Sequence, residues 1–428
     1  MKRKHIFIIF MILLLSSFWR LEVAESLIGK FVPYIGIATF VYCYFKTRNR
    51  KGFYSKYIGF YLIGVFASCV YCRIFHQQGV FPTLVASYTC LGLGGFYLFT
   101  KYRLSYNDSI IILKNISILF CICYIVQWLL YPTAIFATAN DEFNVTDDAF
   151  RMRLPGSICG YILLFMGLNN YLLSQKKQEI VYAILGAVPI LIQGFRSLIF
   201  LTLFAVIYMI FIIQKRSSKM IFYLVGFFVV LALSTNIPIV QKKIDEMAYR
   251  QDRGDTFSNK DYVRNIALVY YWDVVHDKPL EHIFGGGYPR GVKYSRTEQY
   301  QAKSAYADAH MVANSMGLWW IDLGLVGLSF VIGIPTVLLL VWLVLHCFFK
   351  SRSPDICFIR CVLIVVFLGS IITSMEIYRS GNLIILSLLF YCSYARSLNK
   401  TSKQNGRNIS NGILHHDGNN LIVCSKKV

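Results

Sequence analysis

The chain has 428 residues, 56% hydrophobic, 16% aromatic and only 15% charged, where an average soluble domain carries about 25% charged residues. With a mean hydropathy of +0.53, too little polar surface is available to coat a water-soluble particle, which excludes a soluble enzyme, a secreted disulfide scaffold and a disordered chain. The net charge of +21 is spread over short segments between apolar blocks, not gathered into one basic patch, so no nucleic-acid partner is expected.

The first apolar block, 6–18, follows Lys2-Arg3-Lys4-His5 and looks at first like a secretory signal. Trp19 and Arg20 stand where small cleavage-site residues are needed, so it is read as a retained first helix. Further blocks run at 27–45, 57–75, 80–100, 110–131, 155–173, 180–195, 198–213, 220–237, 314–345, 356–375 and 382–396. Such blocks suit helices that cross a hydrocarbon core of about 30 Å. The expected fold is therefore all-α, a polytopic membrane protein with about 12 transmembrane helices. Helices 1–9 occupy 1–237, an extracytoplasmic loop 238–313, helices 10–12 the stretch 314–398, and a polar cytoplasmic tail 399–428. The blocks 180–195 and 198–213 are separated only by Arg196-Ser197, a spacing also open to a re-entrant pair.

Alternating the sides gives a consistent charge map. One side collects the N-terminal Lys2, Arg3 and Lys4, then Lys46 to Lys56, Lys101, Arg103, Lys176, Lys177, Lys215, Arg216, Lys350, Arg352 and the basic tail. The other side holds sparsely charged links and the acidic Asp141, Glu142, Asp147 and Asp148. The positive-inside rule then puts both termini in the cytoplasm and the long loops 132–154 and 238–313 outside. The second loop is short for an independent fold and is expected to pack on the membrane helices.

Most of the 12 cysteines sit inside apolar blocks and read as small packing residues, Cys69 and Cys72 included. The outer loop has no paired carboxylates and no close His cluster of metal-ligand spacing, so neither a metal nor another cofactor is expected. Gly285-Gly286-Gly287, followed by Tyr288, Pro289 and Arg290, reads as a turn or as a backbone nest touching substrate.

Arginines on the outer side are the exceptions to the charge bias. Arg196, between two apolar blocks, either anchors at the headgroups or faces a cavity and a partner. Arg151 and Arg153 before the sixth span, and Arg379 before the twelfth, carry the same two readings. Wound at 100° per residue, the segment 260–276 groups Asn265, Asp273, His276 and Asp277 on a polar arc, with Arg264 opposite, in line with Leu268, Tyr271 and Val275. Arg264 there either snorkels or pairs with an anion. Four outward histidines remain, His76, His276, His282 and His310, and the last lies four residues before Asn314, on the same helical face.

The order of these features over about 194–334 resembles the O-antigen polymerase and O-antigen ligase superfamily of bacterial envelope glycan assembly. The matching features are Arg196-Ser197 at the head of a span and Arg264 before an aromatic helix ending near Trp272. Next come Lys278-Pro279 with Gly285-Gly286-Gly287, then the His310 and Asn314 element, and finally Trp320-Ile-Asp322-Leu-Gly324-Leu-Val-Gly327. The family places His directly before Asn, whereas His310 and Asn314 are separated here.

The resemblance implies a metal-independent membrane glycosyltransferase of GT-C-like fold in the bacterial inner membrane. Its substrate would be an undecaprenyl-pyrophosphate-linked oligosaccharide, polymerised at the outer face into O-antigen or capsule. A chain-length regulator and a flippase of the same pathway are the implied partners beside the bilayer. His310, Arg196 and Arg264 are the implied catalytic residues, and Arg151, Arg153, Arg290, Asn314 and Arg379 the substrate-binding ones. Arginine suits a departing diphosphate because its fork binds phosphate oxygens bidentately. Ligase transfer to lipid A core, or a flippase of lipid-linked sugars, are the alternatives. Reporter fusions test the sidedness: those after Phe143 and Gln299 should read external and those after Arg50 and Lys177 cytoplasmic, and an internal Gln299 would contradict the outer-face assignment.

Overall fold

A chain this apolar must satisfy its backbone N–H and C=O groups within each segment, and helix does so. The computed structural model describes residues 2–19, 21–47, 52–130, 133, 135–136, 143–146, 149–152, 154–193, 196–214, 223, 225–226, 241, 262–290, 304–372, 377 and 381–412. The first half comprises α1 (Arg3–Leu15), α2 (Val32–Thr47), α3 (Phe53–His76), α4 (Val80–Ala86), a 3-10 stretch (Tyr88–Gly94) running into α5 (Gly95–Lys101), and α6 (Tyr106–Leu129). A short antiparallel hairpin follows, β1 (Phe143–Thr146) against β2 (Ala149–Met152). Phe143-Asn-Val-Thr146 alternates apolar and polar residues as a strand does; the other regular elements described are helical, as expected.

Then come α7 (Ile158–Ser174), α8 (Lys177–Gln193), α9 (Arg196–Gln214), α10 (Val263–Tyr270), α11 (Pro279–Phe284) and α12 (Ala305–Ser315). The last group is α13 (Gly324–Ile332), α14 (Ile334–Lys350), α15 (Cys357–Ile372) and α16 (Asn382–Gly412). Among the described residues, four helices are long and apolar enough to cross a membrane, or up to six if each of two sharply bent pairs is one span. Of the expected span 220–237, all but 223 and 225–226 lies outside the described residues.

Two expected continuous blocks are broken. The block 80–100 bends by 75° between α4 and the Tyr88–Lys101 segment. A Cβ on Gly92 would lie 2.9 Å from the Ile384 backbone nitrogen, and one on Gly94 would lie 2.7 Å from the Phe40 ring. The bend thus lets the backbone run directly against α16 and α2. The block 314–345 is divided at Gly333, whose φ of +84° favours glycine and where Pro335 starts the next helix. The tail, expected to lack structure, continues α16 to Gly412, since extending a formed helix costs little where no proline intervenes. Residues 413–428 lie outside the described part.

Packing radiates from α16, whose Ile385, Leu388, Leu389 and Phe390 are fully buried. α7 packs against α6, α8 and α15, while α14 lies along α3. The α7–α8 pair is close because Gly167 and Gly186 face it: added Cβ atoms would come within 2.6 Å of Ala183 N and 2.4 Å of Leu164 N. At the opposite end from the hairpin, Asp108 completes a capping box with Ser105 and also binds Lys4 and His5, the latter at 2.7 Å, which ties α1 to α6. Because backbone cannot yield as a flexible side chain can, Gly167→Leu should destabilise the protein by at least about 1–3 kcal/mol. Unfolding in mixed micelles measures this, and wild-type stability would show that the helices are not in contact there.

Candidate active site

At its end remote from Lys56, α3 carries His76, and Gln77 with φ +57° turns the chain there. Gln78 then fixes a distant segment. Its Nε2 donates to the Tyr288 carbonyl and to Thr83 Oγ1, both at 2.7 Å, and its Oε1 accepts from the Arg290 N–H at 2.8 Å. The turn 285–290 is thereby held against the end of α3.

α10 passes into a π-helical turn over Tyr271–Val275, which shifts the winding of everything after it. His276, expected on the solvent-facing arc with Asn265, Asp273 and Asp277, is therefore fully buried. Leu268 is 38% exposed, whereas the small Ala267 beside it is buried. Tyr271 and Val275 are buried as the winding predicted.

Pro279 opens α11 and places Glu281 in its first turn, where the carboxylate is 1% exposed. Its Oε1 lies 3.2 Å from His76 Nε2 and its Oε2 lies 3.4 Å from His276 Nδ1. α12, capped by Ser304, brings in Tyr306 and His310. His76 stacks on Tyr306 at 4.1 Å between ring centres, and His276 stacks on Phe330 at 5.0 Å. His310 is fully buried, edge-on to Tyr306 at 4.6 Å and 5.9 Å from His276. Neither ring nitrogen of His310 or of His276 hydrogen-bonds to a described residue, and neither does His76 Nε2 or either Glu281 oxygen, so the carboxylate and the two rings are in close contact without hydrogen-bond alignment. Buried polar atoms are normally paired, so this constellation is the candidate site among the described residues.

Burial alone would raise the Glu281 carboxyl, but contact with His276 and His76 outweighs it and brings it down to about 2. Burial pushes the His276 imidazole below its ordinary value, against the pull of Glu281, with His76 and His282 adding to the push. Among the described residues, no three His, Cys, Asp or Glu side chains are spaced as ligands to one metal ion.

The glycine run serves this cluster and is not a phosphate nest. Gly286 N–H donates to the Phe330 carbonyl at 2.8 Å and Gly287 N–H to the Val331 carbonyl at 3.0 Å, so their donors are spent. A Cβ on Gly286 would come within 2.4 Å of the Tyr306 hydroxyl and 2.8 Å of His276 Cε1. The run lets backbone slide beneath the two rings, and Tyr306 Oη donates to the Gly287 carbonyl at 3.0 Å.

Of the residues expected to act, His310 and Asn314 are brought together, both buried on α12. Arg264 is not in the cluster; its guanidinium lies 5.8 Å from the Tyr262 ring. Arg290 is exposed and reaches the site region only through its backbone. Arg196 begins α9 and Arg151 pairs with Asn144 on the hairpin, but their side chains lie outside the described residues. Arg153 and Arg379 lie wholly outside them. Sequence reasoning missed Glu281, although an acid two residues after Pro279 and directly before His282, Ile283, Phe284 and three glycines was a signal. No protein-family model matches the chain, and no curated protein sequence matches it.

The Glu281 environment has a pH consequence. A carboxyl lowered to about 2 when folded, against about 4.3 unfolded, adds stability that is present above the unfolded value and lost as pH falls toward 2. His276, lowered by burial, is a further proton acceptor on unfolding and acts in the same direction below its unfolded value of about 6.5. Unfolding midpoints should therefore drop from pH 7 to 3, and Glu281→Gln should flatten the part below pH 5. An unchanged profile would show that Glu281 is not held between imidazoles.

Proposed function

We propose that the protein is a metal-independent glycosyltransferase of the cytoplasmic membrane, with about twelve spans, both termini inside and a GT-C-like architecture. It polymerises undecaprenyl-pyrophosphate-linked oligosaccharide units into O-antigen or capsular polysaccharide at the outer face. The observation that carries this reading is the convergence of His76, His276, His310 and Glu281 in one buried cluster, at the end of α3 that the charge map places outside. Beside it, Ile266, Val269, Trp272, Leu280 and Ile283 expose apolar surface on which a prenyl tail can lie.

The chemistry requires a hydroxyl of the acceptor sugar to attack the anomeric carbon of the donor. The bond from that carbon to the pyrophosphate breaks, and the electron pair leaves on the diphosphate. Arg196 and Arg264 meet that charge, His310 orients or deprotonates the hydroxyl, and Arg151, Arg153, Arg290, Asn314 and Arg379 hold glycan or phosphate.

Purified protein given lipid-linked repeat units should lengthen them in EDTA without ATP or an ion gradient. Arg196→Ala and Arg196→Lys should each lower the rate on the order of 10²-fold, since lysine lacks the bidentate fork. Loss of activity in EDTA with rescue by Mg²⁺ contradicts the metal-free mechanism. Units that change leaflet without growing identify a flippase, and glycan appearing on lipid A core identifies a ligase.

A further inference from the structure

We infer that His276, not His310, takes the proton from the attacking hydroxyl, and that Glu281 is the positioning residue that fixes its tautomer. This rests on the reading of the cluster as a glycosyl-transfer site. A general base needs an unprotonated nitrogen facing the substrate and a means of stabilising the charge it acquires. The three buried or half-buried rings differ in just these respects.

Among the described residues, His310 has no carboxylate in contact, and it lies against Tyr271, Tyr306 and His276. An imidazolium there would be a buried charge without a counter-charge, at a cost of several kcal/mol. His76 directs Nε2 at Glu281 and stacks its face on Tyr306, so its role is to hold the second carboxylate oxygen. His276 is fully buried with Glu281 Oε2 3.4 Å from its Nδ1, while its Nε2 meets no described hydrogen-bond partner. A carboxylate at Nδ1 keeps the proton on that nitrogen, leaves the Nε2 lone pair as acceptor, and stabilises the imidazolium when it forms.

The ring plane is fixed as well. Phe330 lies parallel to it, within 10°, and Gly286 passes so close to Cε1 that no side chain fits between. Glu281, gripped from both sides by His76 and His276, cannot swing away without breaking one contact. His310 remains neutral and orients the hydroxyl. In the step, the acceptor O–H proton moves to His276 Nε2 as the new glycosidic bond forms and the pyrophosphate departs with its electron pair. The departing diphosphate or water then takes the proton back.

The groups facing His276 are His76 from α3, Glu281 and His282 from α11, Tyr306 and His310 from α12, and Tyr271 from the π turn. Asp277 and Lys278, next in the chain, are exposed. Rates of chain growth against pH should therefore show an acid limb set by His276. Glu281→Gln, which keeps the shape but removes the charge, should lower the plateau by about 10²- to 10⁴-fold and move the acid limb at least about one pH unit lower. His276→Gln should abolish the limb and His310→Gln should keep it.

A measurement without substrate accompanies these rates. ¹⁵N spectra of histidine-labelled protein in micelles should contain an Nδ1–H tautomer that disappears in His276→Gln and loses its preference in Glu281→Gln. A limb that survives His276→Gln and vanishes in His310→Gln would overturn the assignment, as would an acid limb unmoved by Glu281→Gln. If the wild type makes no polymer while the tautomer and its dependence on Glu281 are present, the polymerase reading fails and the Glu281–His276 pair stands.

Discussion

A carboxylate that is 1% exposed, in a chain this apolar, dictates its surroundings. Left alone, Glu281 would cost several kcal/mol of desolvation, so each of its oxygens needs a partner of opposite or donor character. The partners come from two distant elements, His76 at the end of α3 and His276 at the end of the π turn. Bringing them together requires the other irregularities at this end of the molecule. The π turn rotates His276 inward, the glycine run passes beneath the rings, and the break at Gly333 admits the Ile283 carbonyl, which a Cβ there would meet at 2.1 Å. None of these features is the most stable choice for its own segment. Together they are explained by one buried ion.

The rest of the chain provides the frame. Buried apolar faces of α7, α15 and α16 form the centre, and small residues set the closest helix approaches, as expected where lipid supplies no hydrophobic drive between helices. The Asp108 clamp anchors α1 at the opposite end from the histidine cluster. Charged contacts thus mark the two ends, with a nearly uncharged middle.

Hydropathy made most helices legible, because it is a one-dimensional signal and the described helices coincide closely with the apolar blocks. The breaks were not legible, since neither the bend after Ala86 nor the break at Gly333 interrupts the apolar run. Winding at 100° per residue correctly buried Tyr271 and Val275 but failed at His276, one residue beyond the π turn, which has no repeating pattern to detect. His310 drew attention through its position before a span with Asn314. Its neighbours His76 and Glu281 come from far apart in sequence, and only the fold unites them. Glu281 drew no attention, because nothing local shows that α11 is pressed between α3 and α13.

The central claim is that Glu281 and His276 act as one unit in moving a proton. A double-mutant cycle on the rate of chain growth tests it most directly, using Glu281→Gln, His276→Gln and the combination in variants that insert at normal levels. Residues that act as a unit are strongly non-additive, so the double variant should be about as slow as the worse single one. Losses that multiply, each residue contributing independently, would contradict the account.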